Sequence, residues 1–292
     1  MMSSNRTQAI DTLTSATSAR SAQDDVNDYF RHSAGYWKEI YERSGFEAAL
    51  YRLRRNSALA LIDRLKLPPQ SPILEVGCGA GLTAVGLAER GYRVDAIDSV
   101  APMIETARKI AQGAGLQDRV RLSVGDVHGL AFRTASFAAI LAMGVAPWLE
   151  ALEGPLREMA RVLRPGGLLL LSTDNRWCLN HILDPRCFPA LRPMRRKLRE
   201  MLEGARVCRP LTRPRLRMYS IKEVDRLVTA AGLNKVEGKT VGFGPFSFLN
   251  LRLLPDSASL NVHRRLQSLA DRRLPFLRST GIEYMILARK PG

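Results

Sequence analysis

The spacing of apolar positions divides the chain into three stretches. Residues 24–66 place Tyr29, Phe30, Tyr36, Trp37, Ile40, Tyr41, Phe46, Leu50, Tyr51 and Leu53 at helical intervals, and Pro68-Pro69 closes that stretch. From residue 71 to 174 the period changes. Short apolar runs at Ile73–Val76, Arg93–Asp98, Val120–Val124, Phe137–Met143 and within Arg161–Ser172 alternate with helical segments, the first of which begins at Leu82. Strands that are apolar on both faces and separated by helices belong to a mostly parallel sheet covered on both sides. Beyond Asp174 the alternation stops. A long insertion with five prolines, Pro185 to Pro214, occupies 175–218. A helix over Tyr219–Ala231 with Gly232 at its end, a strand over Lys235–Val241, a second insertion over 246–280 and a last strand over Gly281–Arg289 follow. Residues 1–23 are rich in Ser, Thr and Ala and poor in large apolar side chains, which predicts a disordered tail. Residues 24–70 are then an N-terminal helical cap over the sheet.

Composition adds three constraints. No apolar run approaches the roughly 18 residues of a membrane span, and the N-terminus lacks the basic-then-apolar pattern of a signal peptide, so the expected location is the cytoplasm. The four cysteines, Cys78, Cys178, Cys187 and Cys208, form no CxxC pair and have no histidine at metal-ligand spacing, so no metal is expected. The formal charge of +16 is unevenly placed: 181–220 holds eleven Lys/Arg against three Asp/Glu, and 246–280 holds six Arg against two Asp. Twelve of the sixteen net charges therefore sit in the two insertions, where they are a solvated face, an acceptor site or a contact for an anionic membrane surface.

The candidate chemistry lies at residues 73–81, Ile-Leu-Glu-Val-Gly-Cys-Gly-Ala-Gly. A strand runs into an acid, Glu75, and then into glycines at alternate positions, Gly77, Gly79 and Gly81, before a helix starts. Such a turn brings bare N–H groups and a helix N-terminus to a ligand. It is not the dinucleotide fingerprint, whose third glycine falls on Leu82 here, nor a P-loop, since no Gly-Lys-Ser/Thr follows. Glu75 repels pyrophosphate and suits a cationic amino acid. Asp98 ends the second strand 21 positions after Gly77, where a carboxylate suits a ribose diol, and Ser99 and Pro102 are expected to open the next helix.

The run Glu-Val-Gly-Cys-Gly-Ala-Gly at 75–81 resembles motif I of the class I methyltransferases that depend on S-adenosylmethionine (SAM), and the five β-α pieces of 73–174 follow that family's order and spacing. Within the class the chain is most similar to small-molecule methyltransferases related to the ubiquinone and menaquinone C-methyltransferases, from which both basic insertions depart. The resemblance implies a Rossmann-like α/β fold: a seven-stranded mostly parallel sheet with helices on both faces, its last strand antiparallel between its neighbours. It makes 71–292 the methyltransferase domain and SAM the cofactor. The cofactor-binding residues it implies are Glu75, Gly77, Gly79, Gly81, Asp98, Ser99, Met103, Asp126, Val127 and Met143, with Asp126 accepting from the adenine amino group.

Methyl transfer from SAM is an in-line displacement at an activated carbon, so alignment supplies much of the rate and a base matters only for a hydroxyl or acidic carbon acceptor. Weak candidates for a catalytic role are His128, which follows Asp126, Asp174 at the end of the fifth strand, and Tyr36 in the cap. The fourth strand ends in Met143-Gly144-Val145-Ala146-Pro147-Trp148, not in the Asn/Asp-Pro-Pro-aromatic motif of exocyclic amino methyltransferases, and no Pro-Cys dipeptide offers a cytosine-C5 nucleophile. The expected function is methyl transfer to an oxygen or carbon of a small or amphipathic metabolite, with peripheral contact to an anionic membrane as an added partner. The alternatives are an RNA methyltransferase that tracks phosphates with its insertions, and a SAM-binding partner protein without activity.

Overall fold

The computed structural model describes residues 22–32, 36, 39–40, 43–191, 193–194, 196–197, 201, 216–248, 251–272 and 274–292. The expected tail up to residue 21, Trp37, Tyr41, Arg195, Cys208, Leu249 and 202–215 of the first insertion lie outside the described residues. The helices are α1 (Ala22–His32), α2 (Phe46–Leu65), α3 (Leu82–Glu89), α4 (Ala101–Gly113), α5 (Glu153–Val162), α6 (Leu179–Leu183), α7 (Ile221–Ala230) and α8 (Asp256–Asp271). The strands are β1 (Pro72–Val76), β2 (Arg93–Asp98), β3 (Val120–Val124), β4 (Phe137–Ala142), β5 (Leu163–Asp174), β6 (Asn234–Val241), the short hairpin β7 (Ser247–Phe248) and β8 (Leu251–Arg252), and β9 (Glu283–Arg289).

Seven strands pair in the order β3-β2-β1-β4-β5-β9-β6. The pairs from β3 to β5 are parallel, and β9 runs antiparallel between β5 and β6. This is the Rossmann-like class I methyltransferase architecture that the motif order implied. The central strands are apolar on both faces because each face has its own core. Ile73, Leu141, Leu168 and Leu170 pack with Leu59 and Ile62 of α2 and Leu87 of α3. Leu74, Ile140, Leu169 and Leu171 point the other way, against Leu156 and Met159 of α5 and Val224 and Val228 of α7. Each such side chain contributes about 1.5–3 kcal/mol on burial, so removing either helical layer leaves the sheet unsupported.

Local chemistry sets the element ends. The Ser220 side chain accepts from the Glu223 N–H, and Glu223 returns to the Ser220 N–H, so a capping box starts α7 one residue after Tyr219, which instead bridges to Asn175. Gly232 follows α7 with φ of 81°. The start of α4 differs from expectation. Its N-cap is Val100, not Ser99; the Asp98 carboxylate accepts from the Val100 N–H at 3.0 Å, while the Ser99 hydroxyl donates to Asn27 Oδ1 of α1 at 2.9 Å. The strand-end acid outcompetes the neighbouring serine for the free N–H.

The second insertion is tied to the core. The Phe46 N–H donates to Asp256, the Phe243 N–H donates to the buried ring of His263 at 3.1 Å, and the Gly242 N–H donates to Gln267. α8 thus buttresses α2 from outside. No helix among the described residues is long and apolar enough to cross a membrane.

Candidate functional site

β1 ends at Val76 and the chain turns through Gly77, whose φ is 65°. A Cβ at Gly77 would fall 2.3 Å from Val145 Cγ2, so the close pass under the β4 loop requires glycine. Gly79 also has positive φ, 52°, yet a Cβ there would meet nothing within 4 Å. Its open side is a cavity. Gly81 faces the other way, against Ala107 of α4. The turn is held by the Cys78 N–H on the Ile97 carbonyl at 3.0 Å and by the Gly79 N–H on Asp98 Oδ2 at 2.9 Å.

The cavity, about 190 Å³, lies beyond the carboxyl ends of β1, β2 and β4, where open parallel sheets bind ligands. Of the ten residues expected to hold the cofactor, Glu75, Gly77, Gly79, Asp98, Ser99, Met103, Asp126, Val127 and Met143 line it, and Gly81 does not. The three candidates for a catalytic role are absent from its wall. His128 holds Asp126 from outside: its N–H and its Nδ1 lie 2.9 and 2.7 Å from Asp126 Oδ1. Tyr36 lies beside Arg43, whose guanidinium carbon is 5.0 Å from the ring centre, and burial with a hydrogen bond to Glu47 pushes its hydroxyl up to about 12. Asp174 stands across from Glu283 of β9. Its neighbour Asn175 is a structural tie, donating to the Ser279 and Gly281 carbonyls at 2.9 and 2.8 Å.

Four carboxyl groups at the strand ends differ in environment. Glu75 is 3% exposed and its Oε2 has no hydrogen-bond partner among the described residues. Desolvation pushes its carboxyl up to about 8, with Thr83, the Ala84 N–H and Arg55 pulling the other way. Burial also raises Asp98, opposed by the N–H groups of Val100 and Gly79. Asp126 behaves oppositely: burial acts upward, but the His128 N–H and ring outweigh it and hold the carboxyl below its usual range. Asp174 is pushed up to about 7 by burial and then by Glu283, against the pull of Arg54.

Sequence reading missed the contribution of α2. Tyr51, Arg54 and Arg55 line the cavity, and Arg55 donates from Nε to the Leu82 carbonyl at 3.0 Å. A signal was present. Arg55 occupies the position that continues the buried Leu59–Ile62 stripe by one turn, and an arginine on an apolar stripe needs a polar destination. α1 also contributes Asn27 and Phe30, and Phe30 packs edge-on against Trp148 with ring centres 4.7 Å apart.

A family model described as a methyltransferase domain matches residues 74–171. A ubiquinone biosynthesis O-methyltransferase of Methylocella silvestris is 41% identical over 104 residues, 36% of this chain and 40% of that protein. Methyltransferase GfsG of Streptomyces halstedii is 32% identical over 139 residues, 47% of this chain and 49% of that protein. The chain thus spans about half the length, or less, of these curated relatives. Two solved structures share the fold. One is the [4+2]-cyclase SpnF, with TM-score 0.62, 20% identity and coverage of 94% of this chain and 97% of that one. The other is magnesium protoporphyrin IX methyltransferase from Synechocystis PCC 6803 with bound S-adenosylhomocysteine (SAH), with TM-score 0.61, 16% identity and coverage of 92% and 100%. One of the two is named for a cyclisation, so the shared fold leaves the reaction to be argued from the site.

Proposed function

We propose that the protein is a class I SAM-dependent methyltransferase that transfers the methyl group of SAM to an oxygen or carbon of a small molecule, a reading supported by the methyltransferase-domain match over residues 74–171. The observation that carries the reading is the orphaned Glu75 oxygen, buried at the wall of a glycine-lined cavity with Arg55 on the same wall. A buried carboxyl with one unpartnered oxygen beside a guanidinium is expensive alone and suits a zwitterion. The amino-acid end of SAM is one, so the residues present fit the group.

In this reading Glu75 takes the ammonium and Arg55 the carboxylate of the donor. Gly77 and Gly79 leave the backbone bare along its length, and Asp98 accepts from the ribose hydroxyls. Asp126, kept ionised and oriented by His128, accepts from the adenine amino group. Ser99, Met103, Val127 and Met143 enclose the remainder. The bound donor supplies an electrophilic methyl on a positively charged sulfur. The chain's own work is to fix both reactants at contact distance and to exclude water, for which the Phe30–Trp148 pair over the cavity is suited. The curated relatives named as O-methyltransferases favour oxygen as the acceptor atom.

Calorimetry tests the donor. SAM and SAH should bind the purified protein while NAD and ATP stay inert. Gly79→Val, which fills the open side of the turn, should abolish that binding while the protein stays folded. Donor affinity equal to wild type in that variant would sink the cradle assignment. Mass spectrometry of methylated metabolites in a deletion strain then identifies the acceptor.

A further inference from the structure

Several residues of the cavity wall are left over after the donor's groups have been assigned, Tyr51 and Arg54 of α2 among them. α2 sends Arg54 into that wall, with a side chain 14% exposed. Its guanidinium carbon stands 4.7 Å from the centre of the Tyr51 ring, and Nη1 lies 3.2 Å from Glu283 Oε1. The β4 loop is shaped around this group. Gly144 has φ of 74°, and a Cβ there would fall 2.5 Å from Arg54 Nη1. Glu283 and Asp174, cross-strand partners where β9 begins and β5 ends, flank the guanidinium away from the cavity. Of these three charged groups Arg54 lines the cavity, and Glu283 and Asp174 do not.

We infer that Arg54 is the acceptor's anion receptor: the acceptor carries a carboxylate or similar small anionic group on a flat apolar body, gripped by the guanidinium beside the Tyr51 ring. This deepens the proposed function and rests on its reading of the cavity. An arginine needed only to tie α2 to the sheet would sit behind the wall, with no reason for β4 to be hollowed by a glycine in front of it. A planar guanidinium matches a carboxylate fork, and a ring beneath it keeps the plane in one orientation. The aromatic wall, Phe30, Trp148 and Tyr51, suits a flat apolar body rather than a sugar or phosphate chain. Glu283 is a positioning residue: it holds the guanidinium in place and sets how much positive charge the cavity sees. Arg55 is assigned to the donor, so the two adjacent arginines serve different ligands.

Two probes of similar size and different charge, phenylacetate and 2-phenylethanol, test this on the SAH complex of the full chain by calorimetry. Phenylacetate should bind about ten-fold or more tightly than the alcohol, the factor one charge-assisted hydrogen bond supplies. Arg54→Gln should remove that preference and leave SAH affinity within about two-fold, as a residue away from the donor requires. Glu283→Gln, which keeps the shape and removes the competing charge, should tighten phenylacetate; a purely structural ion pair predicts the opposite. If Arg54→Gln does not fold, the Glu283→Gln result decides. Equal binding of the two probes, a preference that survives Arg54→Gln, weaker phenylacetate in Glu283→Gln, or SAH affinity lost in Arg54→Gln each overturns the inference while the donor reading stands. Failure of the wild-type protein to bind SAH overturns both.

Discussion

The donor end of the cavity and the end around Arg54 are built by different means. At the end proposed for the donor the centre is built from residues close along the chain, the turn at 77–81, the acid two positions before it and the acid that closes the next strand, with Arg55 and Asp126 added from farther away. The backbone of the turn is tied by the Cys78 N–H on the Ile97 carbonyl and the Gly79 N–H on Asp98, and close packing under Val145 and Ala107 dictates where glycine must stand. At the other end nothing is consecutive. Arg54, Gly144, Asp174 and Glu283 come from α2, the β4 loop, β5 and β9, and Arg54 meets Glu283 across 229 positions. Side chains do the work there, and each depends on a partner from another element. A backbone-built site tolerates little change in the residues that form it. A side-chain-built site can change its preference one residue at a time.

The largest effect should separate the two ends by folding. Gly77→Val places a branched side chain at a left-handed φ and against Val145 Cγ2, 2.3 Å from the first added carbon. A cost of about 2–4 kcal/mol is expected, from strain plus overpacking. Thermal denaturation checks it; a melting temperature within a degree or two of wild type would refute the packing argument. Substitutions at Arg54, Asp174 and Glu283 carry no such strain, because none of the three has a positive φ.

Next in size is the pH response of Glu75. Its folded carboxyl titrates at about 8 against 4.5 for an exposed one, so the folded state holds a proton that the unfolded state has lost between those values. Stability contributed by the protonated form is therefore full below about pH 4.5 and declines as pH rises towards 8. The ceiling is on the order of 5 kcal/mol, and relaxation around the buried group brings the observed value well below it. Glu75→Gln should flatten that decline in denaturant titrations of the free protein. A ligand ammonium ionises the same group, so SAH binding should release a proton near pH 7 and strengthen from pH 6 to 8. Calorimetry in buffers of different ionisation enthalpy measures the release, and proton uptake would contradict the assignment.

Asp98→Ala should act on both donor affinity and stability. The carboxylate is expected to serve the ribose, and it also accepts from the Gly79 and Val100 N–H groups. Donor affinity should fall by about 1–3 kcal/mol and stability by about 1–2 kcal/mol. Because the turn is tied through this acid, a loss of affinity with no loss of stability would mean that the N–H groups find other partners.

The smallest effect belongs to the first insertion. Neutralising Arg195, Arg196 and Lys197 should change donor affinity by less than about 0.5 kcal/mol, since Arg196 and Lys197 are exposed and absent from the cavity wall, and exposed charges are screened. A fall in acceptor turnover or in binding to anionic vesicles would give the insertion a role; an unchanged protein in every assay would make it a solvated face.

Much of the donor end was legible in the chain itself. The strand at 73–76, the helix start at Leu82, the acids 75, 98 and 126 and the antiparallel last strand all stand where the spacing and the resemblance put them. They are legible because short-range sterics write them: a positive φ calls for glycine, and a buried parallel strand calls for an apolar run. The exceptions are instructive. Ser99 has the composition of a helix cap, yet its hydroxyl turns to Asn27, because Asp98 reaches the free N–H first. His128 follows a site acid and ends up orienting it, not facing the cavity.

By itself, then, the sequence determined the order of strands and helices, the glycine turn and the acids that end its neighbouring strands. These depend on residues close along the chain, where local geometry leaves few options. Tertiary structure alone decided which side chains of α1 and α2 reach the cavity, that Asn175 faces inward to the Ser279 and Gly281 carbonyls, and that Arg54 meets Glu283 over Gly144. Those meetings depend on how α2 lies across strands far away in sequence. A helix's own periodicity gives the direction of a side chain but not what stands opposite it.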